Sequence, residues 1–288
     1  MKIIDIVKGG GINISCELFP PKEGEILQKA DELITKTATL DPSFISVTCG
    51  AAGGNRRDTA KIASIAAEHG IEPLAHMTCV ASTYESALED LTRLKQYGIS
   101  NIMALRGDII GDAKPGDFKH ASDLVHFIKQ HGDFCIGGAC YPEGHPEAES
   151  IEKDVDNLKY KLEAGTEFLI TQLFFDNTLF YRYLELIRSK DIDVPVIAGI
   201  MPVTSASQVT RLVSLSGHAL PSSLAAIVDR FGGDPLSMKQ ASIAYASSQI
   251  IDLIAHGVTN IHVYTMNKPD IASAIISNFS EIRRGGSR

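Results

Sequence analysis

Glu17 stands inside Cys16-Glu17-Leu18-Phe19-Pro20-Pro21, between apolar neighbours and two prolines that stiffen the chain as it leaves. A carboxyl so placed is partly desolvated, keeps its proton more readily, and suits general-acid work. A helix-capping or surface glutamate is the plainer alternative. Asp108 closes Ala104-Leu105-Arg106-Gly107-Asp108, where Gly107 would let the backbone approach a ligand. A local Arg106–Asp108 ion pair reads equally well. Farther on, Tyr141-Pro142-Glu143-Gly144-His145-Pro146-Glu147-Ala148 leads into a helical pattern with the apolar stripe Ile151, Val155, Leu158 and Leu162. Asp154, Asn157 and Lys161 share one flank of that stripe. An acid, an amide and a lysine on one line are either a solvated face or partners for ribose hydroxyls and a pyrophosphate.

These residues need a frame that gathers them. At Gly70, Gly98, Gly132, Gly165 and Gly257 a charge-studded helical pattern meets a glycine and a short apolar run follows, a recurrent helix-stop and strand-start signal. Eight such runs are present: Asn13–Phe19, Phe44–Cys49, Pro73–Cys79, Asn101–Asp108, Cys135–Tyr141, Phe168–Phe174, Val194–Met201 and Asn260–Asn267. Near-continuous apolar strands alternating with helices predict a closed parallel (β/α)8 barrel, with an open doubly wound sheet as the weaker competitor. Glu17, Thr48, His76, Asp108, Tyr141 with His145, Gln172, and Asn267 with Lys268 fall near the C-terminal ends of these runs. That rim is where such barrels assemble their sites.

The 288 residues are read as one domain, 1–288. Strand spacing doubles only between the seventh and eighth runs, over about 203–257. Helical patterns at Gln208–Ser216 and Ser237–His256 flank a turn-rich Asp229–Pro235 there, an insertion placed to cover a ligand. The tail from Arg283 to Arg288 reads as frayed. A net charge of -8 argues against a nucleic-acid binder. Asp5 and Lys8 interrupt any signal-peptide core, and no run approaches the ~20 apolar residues of a membrane span. A soluble, cytoplasmic protein is expected, with five cysteines as free thiols. Lys8-Gly9-Gly10-Gly11 and Gly53-Gly54-Asn55 read as turns, not phosphate loops. Cys49, Cys79 and Cys140 with His76 or His145 suggest a zinc-thiolate site, but His76 and Cys79, three apart on a strand, face opposite ways. No metal is expected.

Cys16-Glu17-Leu18-Phe19-Pro20-Pro21-Lys22, Ser46-Val47-Thr48-Cys49-Gly50-Ala51, Ala75-His76-Met77-Thr78-Cys79, Ala104-Leu105-Arg106-Gly107-Asp108, Tyr141 to Ala148, Ile170 to Asp176 and His262 to Asn267 closely resemble, in order, the signature segments of the methylenetetrahydrofolate reductase family. The resemblance runs from about Asn13 to Asn278. It implies a flavoprotein barrel that passes a hydride from NADH or NADPH through FAD to 5,10-methylenetetrahydrofolate, giving 5-methyltetrahydrofolate. By matched position, Glu17 would be the acid that opens the folate's imidazolidine ring. Asp108 would lie beside flavin and pterin, where its charge would make the reduced flavin a stronger donor. Gln172 would serve nicotinamide and pterin in turn. Gln208, Lys268 and Thr48 would also contact substrate. Thr48, Cys49, Ala51, His76, Arg106, Gly107, Asp108, Ala121, Tyr141, His145, Ala148, Asp154, Asn157, Tyr160 and Lys161 would line FAD. The sequence departs from the family pattern in carrying Tyr160 and Lys268 for arginines and Leu212 for an aromatic, which bears on affinity and on the electron donor. The family's assemblies imply a homo-oligomer. A flavin- and folate-binding subunit that draws electrons from a partner protein is the second reading.

Overall fold

The alternation of β-branched runs and glycine-stopped helices closes on itself in space. In the computed structural model, which describes residues 1–21, 26–49, 56–107, 116–216 and 220–285, eight parallel strands form a closed barrel in chain order. They are β1 (Asn13–Leu18), β2 (Phe44–Val47), β3 (Pro73–Thr78), β4 (Asn101–Leu105), β5 (Cys135–Cys140), β6 (Phe168–Thr171), β7 (Val196–Ile200) and β8 (Asn260–Val263). Closure is made by β1 against β8, from Asn13↔Asn260 to Cys16↔Val263. The fold is the predicted (β/α)8 barrel. Each expected run contains a strand, and all eight overshoot it at the C-terminal end. Thr48, Arg106, Tyr141, Gln172 and Thr265 lie just past the last strand residue, where the chain splays to the rim and the ladder stops.

Helix α1 (Ile3–Lys8) precedes the first strand and was not foreseen. Ile3, Ile4 and Val7 are buried in a cluster with Phe44, Leu74, Met103, Cys135, Phe168 and Ile197. The Ile3 amide donates to Asn101 Oδ1 at 2.8 Å. Helices α2 (Ile26–Ala38), α3 (Arg56–Glu68), α4 (Tyr84–Gln96), α5 (Ala121–Gln130), α6 (Ile151–Glu163) and α7 (Asn177–Ser189) follow β1 to β6 in turn. Gly70, Gly98, Gly165 and Gly257 take positive φ, as a helix-ending glycine should. Gly132 does not. A Cβ there would stand 2.7 Å from the Phe134 ring, so close packing is its reason.

Between β7 and β8 lie α8 (Ala206–Ser216), α9 (Ser222–Phe231) and α10 (Pro235–Ala255). Tyr245 Oη donates to the Phe175 carbonyl at 2.7 Å, Gln249 Nε2 to that of Phe174 at 3.0 Å, and Asn177 Nδ2 to Asp252 at 2.6 Å. These bonds fasten α10 to α7 and the β6 exit, so α10 is the outer-layer helix that follows β7, and α8 with α9 is the addition. Helix α9 runs through part of the stretch expected to be turns. It is short and begins after Pro221 with no side-chain cap, so its start carries little signal. The chain ends with α11 (Pro269–Ser277) and α12 (Ser280–Gly285). Arg283, expected at the start of a frayed tail, donates from its guanidinium to the carbonyls of Leu40 and Asp41. Residues 286–288 lie outside the described residues. Among the described residues no helix is long and apolar enough to cross a membrane.

One glycine of the barrel gives a sharp test. A Cβ on Gly199 would stand 2.5 Å from the Thr171 carbonyl oxygen and 2.6 Å from the Tyr264 ring. Backbone cannot yield as a flexible side chain does, so Gly199→Ala should lower stability by about 2–3 kcal/mol. The expected reading is a lower urea midpoint at unchanged slope; an unaltered midpoint would mean that the wall gives way.

Candidate active site

Glu17 is 7% exposed, at the penultimate position of β1. Burial alone pushes its carboxyl up to about 8, with no described cation to offset it. The expectation of a proton-holding carboxyl rested on its apolar neighbours, and the barrel wall supplies the same surroundings in three dimensions. Tyr264, one residue past β8, is raised well above the ordinary phenol range, first by burial and then by the nearby charge of Glu17. Its hydroxyl donates to the Thr171 carbonyl at 2.6 Å. Tyr264 therefore ties the β8 exit to the residue preceding Gln172. Two imidazoles are buried in the barrel as well. Burial drives His76 of β3 down to about 4; burial and then His76 drive His262 of β8 to about 3. Both stay neutral near pH 7. His262 Nδ1 is 2.8 Å from Ser15 Oγ, and its ring stacks on Phe44.

A second group forms where the β4 and β5 exits meet α6. Val155 and Leu158 of the predicted stripe are buried and turn Asp154 inward with them. The Asp154 carboxylate accepts the His145 amide at 3.2 Å, and burial raises its pKa. Lys161 reaches in from the same helix and donates to the Ala139 carbonyl at 3.0 Å. Desolvation lowers its pKa, opposed by Cys140 and Asp154. His145 packs edge-on against Tyr141, 4.7 Å between ring centroids, and is held down first by burial and then by Arg106. Arg106 forms a forked ion pair with Glu147, a partner the sequence reading missed. Gly107 takes φ 85°, and a Cβ there would lie 2.9 Å from Thr78 Cβ. Its own backbone and that neighbour account for the glycine. Across the mouth, Thr48 Oγ1 is buried without a hydrogen-bond partner among the described residues. A bound molecule's polar atom would satisfy it. Asp108 and Ala51 lie outside the described residues.

The remaining candidates spread around the rim. Gln172 is exposed; its amide donates to the Cys140 carbonyl at 2.7 Å and its Oε1 accepts the Leu173 amide at 2.9 Å. Gln208 Oε1 accepts the Thr204 amide at 3.1 Å, and Lys268 Nζ donates to Thr204 Oγ1 at 3.1 Å, joining the β7 and β8 exits. Ala121 opens α5, and the Ala148 amide donates to the His145 carbonyl at 2.9 Å. Asn157 and Tyr160 point to solvent, Tyr160 at 64% exposure, and no hydrogen bond among the described residues ties either to the rim. Cys16, Cys79, Cys135 and Cys140 are buried, while Cys49, just past β2, is half-buried. Burial pushes the Cys16 and Cys140 thiols up to about 12 and that of Cys79 upward too. Among the described residues no cluster of three or more His, Cys, Asp or Glu could hold a metal.

Known proteins carry the same frame. A solved Clostridium thermocellum protein, described as binding two copies of 5-methyl-5,6,7,8-tetrahydrofolic acid, superposes with a TM-score of 0.69 over 97% of this chain and 98% of its own. At 16% identity it shows the fold alone. The 5,10-methylenetetrahydrofolate reductase of Escherichia coli K12 is 37% identical over 268 residues, 92% of this chain and 90% of the relative. That of Pectobacterium carotovorum is 35% identical over 267 residues, 92% and 89%. Methylenetetrahydrofolate reductase (NADH) 1 of Arabidopsis thaliana is 31% identical over 303 residues, with 98% of this chain matching 51% of that longer protein. The family model described as methylenetetrahydrofolate reductase matches residues 2–280. With that match running over nearly the whole length and bacterial relatives 35–37% identical over 92% of it, the chain belongs to the methylenetetrahydrofolate reductase family.

Proposed function

We propose that the protein is an FAD-dependent oxidoreductase that reduces 5,10-methylenetetrahydrofolate to 5-methyltetrahydrofolate with electrons from NADH or NADPH. The observation that carries this reading is Glu17, buried at the barrel mouth with a proton affinity near pH 8 and no basic neighbour among the described residues. The names of the bacterial relatives and the folate held by the Clostridium thermocellum protein support the substrate class.

When bound, FAD would supply the hydride acceptor and donor that protein side chains lack. The second group of residues fits such a cofactor. Lys161 brings an ammonium suited to a pyrophosphate, and Thr48 offers a hydroxyl with unused hydrogen-bonding capacity. Arg106, His145, Asp154 and Tyr141 surround the same opening, with Cys49, Ala51, His76, Gly107, Asp108, Ala121, Ala148, Asn157 and Tyr160 assigned to it by matched position. Neutral His76 adds no charge there. On the substrate side, Glu17 gives its proton to a nitrogen of the imidazolidine ring, which opens the ring and leaves an electrophilic one-carbon centre. Gln172, Gln208 and Lys268 orient the pterin and its tail, and Tyr264 fixes the Thr171–Gln172 backbone.

The test is direct. The purified protein, reconstituted if necessary, should be yellow and release FAD on denaturation. NADH or NADPH should bleach it anaerobically, and methylenetetrahydrofolate should restore the colour with formation of the 5-methyl product. A colourless preparation that takes up no FAD would overturn the proposal. Bleaching by neither nicotinamide, with normal reoxidation by folate, would assign electron supply to a partner protein.

A further inference from the structure

The β1–β8 ladder stops one residue short of Glu17, at Cys16↔Val263. Beyond it β8 turns through two consecutive left-handed residues that are not glycine, Met266 at φ 51° and Asn267 at φ 56°. Such conformations persist only where the surroundings enforce them, and they gather at functional sites. Here they aim two side chains at the β1 exit. Thr265 Oγ1 donates to the Glu17 carbonyl at 2.7 Å and accepts the Asn267 amide at 3.2 Å. The Asn267 carboxamide accepts the Phe19 amide at 2.9 Å and donates to the Phe19 carbonyl at 2.8 Å. Side chains thus take over from the backbone of β8, with Glu17 itself one point of attachment and Phe19 the other. On the other flank, Glu17 pairs with Ser46 of β2, and the Thr48 amide donates to the Leu18 carbonyl at 3.0 Å. No described group hydrogen-bonds the Glu17 carboxyl itself, so its aim is set by where its backbone is held.

We infer that Thr265 and Asn267 are positioning residues, a side-chain clamp that holds the β1 exit so that the Glu17 carboxyl points at the substrate's ring nitrogen. This rests on the role of Glu17 proposed above. A general acid displaced by a fraction of an ångström still folds and titrates, but it transfers its proton poorly. Lys268 is part of the same turn, since its amide closes onto the Thr265 carbonyl at 2.9 Å. The clamp therefore also sets the entry of α11 and the substrate-side lysine.

Two variants separate the clamp from backbone strain. Asn267→Gly removes both bonds to Phe19, yet glycine adopts φ 56° without penalty. Thr265→Val keeps the shape and removes the hydroxyl, and Thr265→Ser restores it. With prereduced enzyme and saturating methylenetetrahydrofolate, Asn267→Gly and Thr265→Val should slow reoxidation ~10–100-fold. Thr265→Ser should return to within about threefold of the parent, and flavin reduction by the nicotinamide should stay within about twofold in all three. Parent-like reoxidation in both Asn267→Gly and Thr265→Val would overturn the clamp. So would equal loss in both half-reactions, the mark of a merely structural role. Glu17→Gln, run alongside, tells the two ideas apart. If it reoxidises normally, the assignment of Glu17 fails; if it is crippled while the clamp variants are normal, only the clamp fails.

Discussion

Glu17→Gln should slow reduction of methylenetetrahydrofolate ~10²–10⁴-fold, the usual contribution of a positioned general acid, while the nicotinamide still reduces bound flavin at close to the parent rate. Glutamine fills the same space and keeps a polar end but has no proton to give. The parent should show the matching pH profile. Folate reduction should be level below about pH 7 and fall tenfold per unit above about pH 8, where the buried carboxyl ionises. The same burial makes a second, independent reading possible. The native carboxyl holds its proton up to about pH 8, whereas the unfolded chain releases it near 4.3, so between those values the unfolded state binds fewer protons. The contribution of Glu17 to stability is full below about 4.3 and is lost as pH rises through that window. Glutamine has nothing to lose. The stability of Glu17→Gln relative to the parent should therefore improve by about 2–3 kcal/mol between pH 5 and pH 7 in urea melts. A pH-independent difference would show that the carboxyl is solvated after all.

Lys161→Met is expected to weaken FAD binding roughly 10- to 100-fold, the range for losing a charge-assisted hydrogen bond to a phosphate oxygen. Methionine keeps the length and apolar stem of lysine, and burial already weighs against the ammonium. Removing the charge relieves that desolvation and leaves the Ala139 carbonyl without its donor, two opposed effects on the apoprotein. The melting temperature without cofactor should move little, while the increase produced by saturating FAD shrinks. Unchanged FAD affinity by equilibrium dialysis would remove Lys161 from the cofactor's surroundings.

The barrel was legible because its periodic signals are local. Glycine stops at Gly70, Gly98, Gly165 and Gly257 and buried apolar runs each announce themselves within a few residues. Where strands end is not local, since a ladder stops when its neighbour departs; hence the overshoot at Thr48, Gln172 and Thr265. Helices α1 and α9 were too short or too weakly capped to show a period. The surroundings of Glu17 could be read from Leu18, Phe19 and the prolines beside it. Its company could not. Tyr264 meets Thr171 across 93 residues, Arg106 meets Glu147 across 41, and Asn267 meets Phe19 across 248. Such pairs exist only once the strands have come together in space. The resemblance supplied candidate residues at the rim, while the coordinates show which of them touch and which, like Tyr160, face solvent.

Four of the five cysteine thiols are shut away, and the fifth, that of Cys49, sits half-open beside Thr48. A maleimide offered at neutral pH should consequently attach at one position, because thiols pushed to about 12 present almost no nucleophile. That position borders the opening assigned to the flavin, so one alkylation rate, followed by mass spectrometry with and without added FAD, becomes a built-in gauge of occupancy.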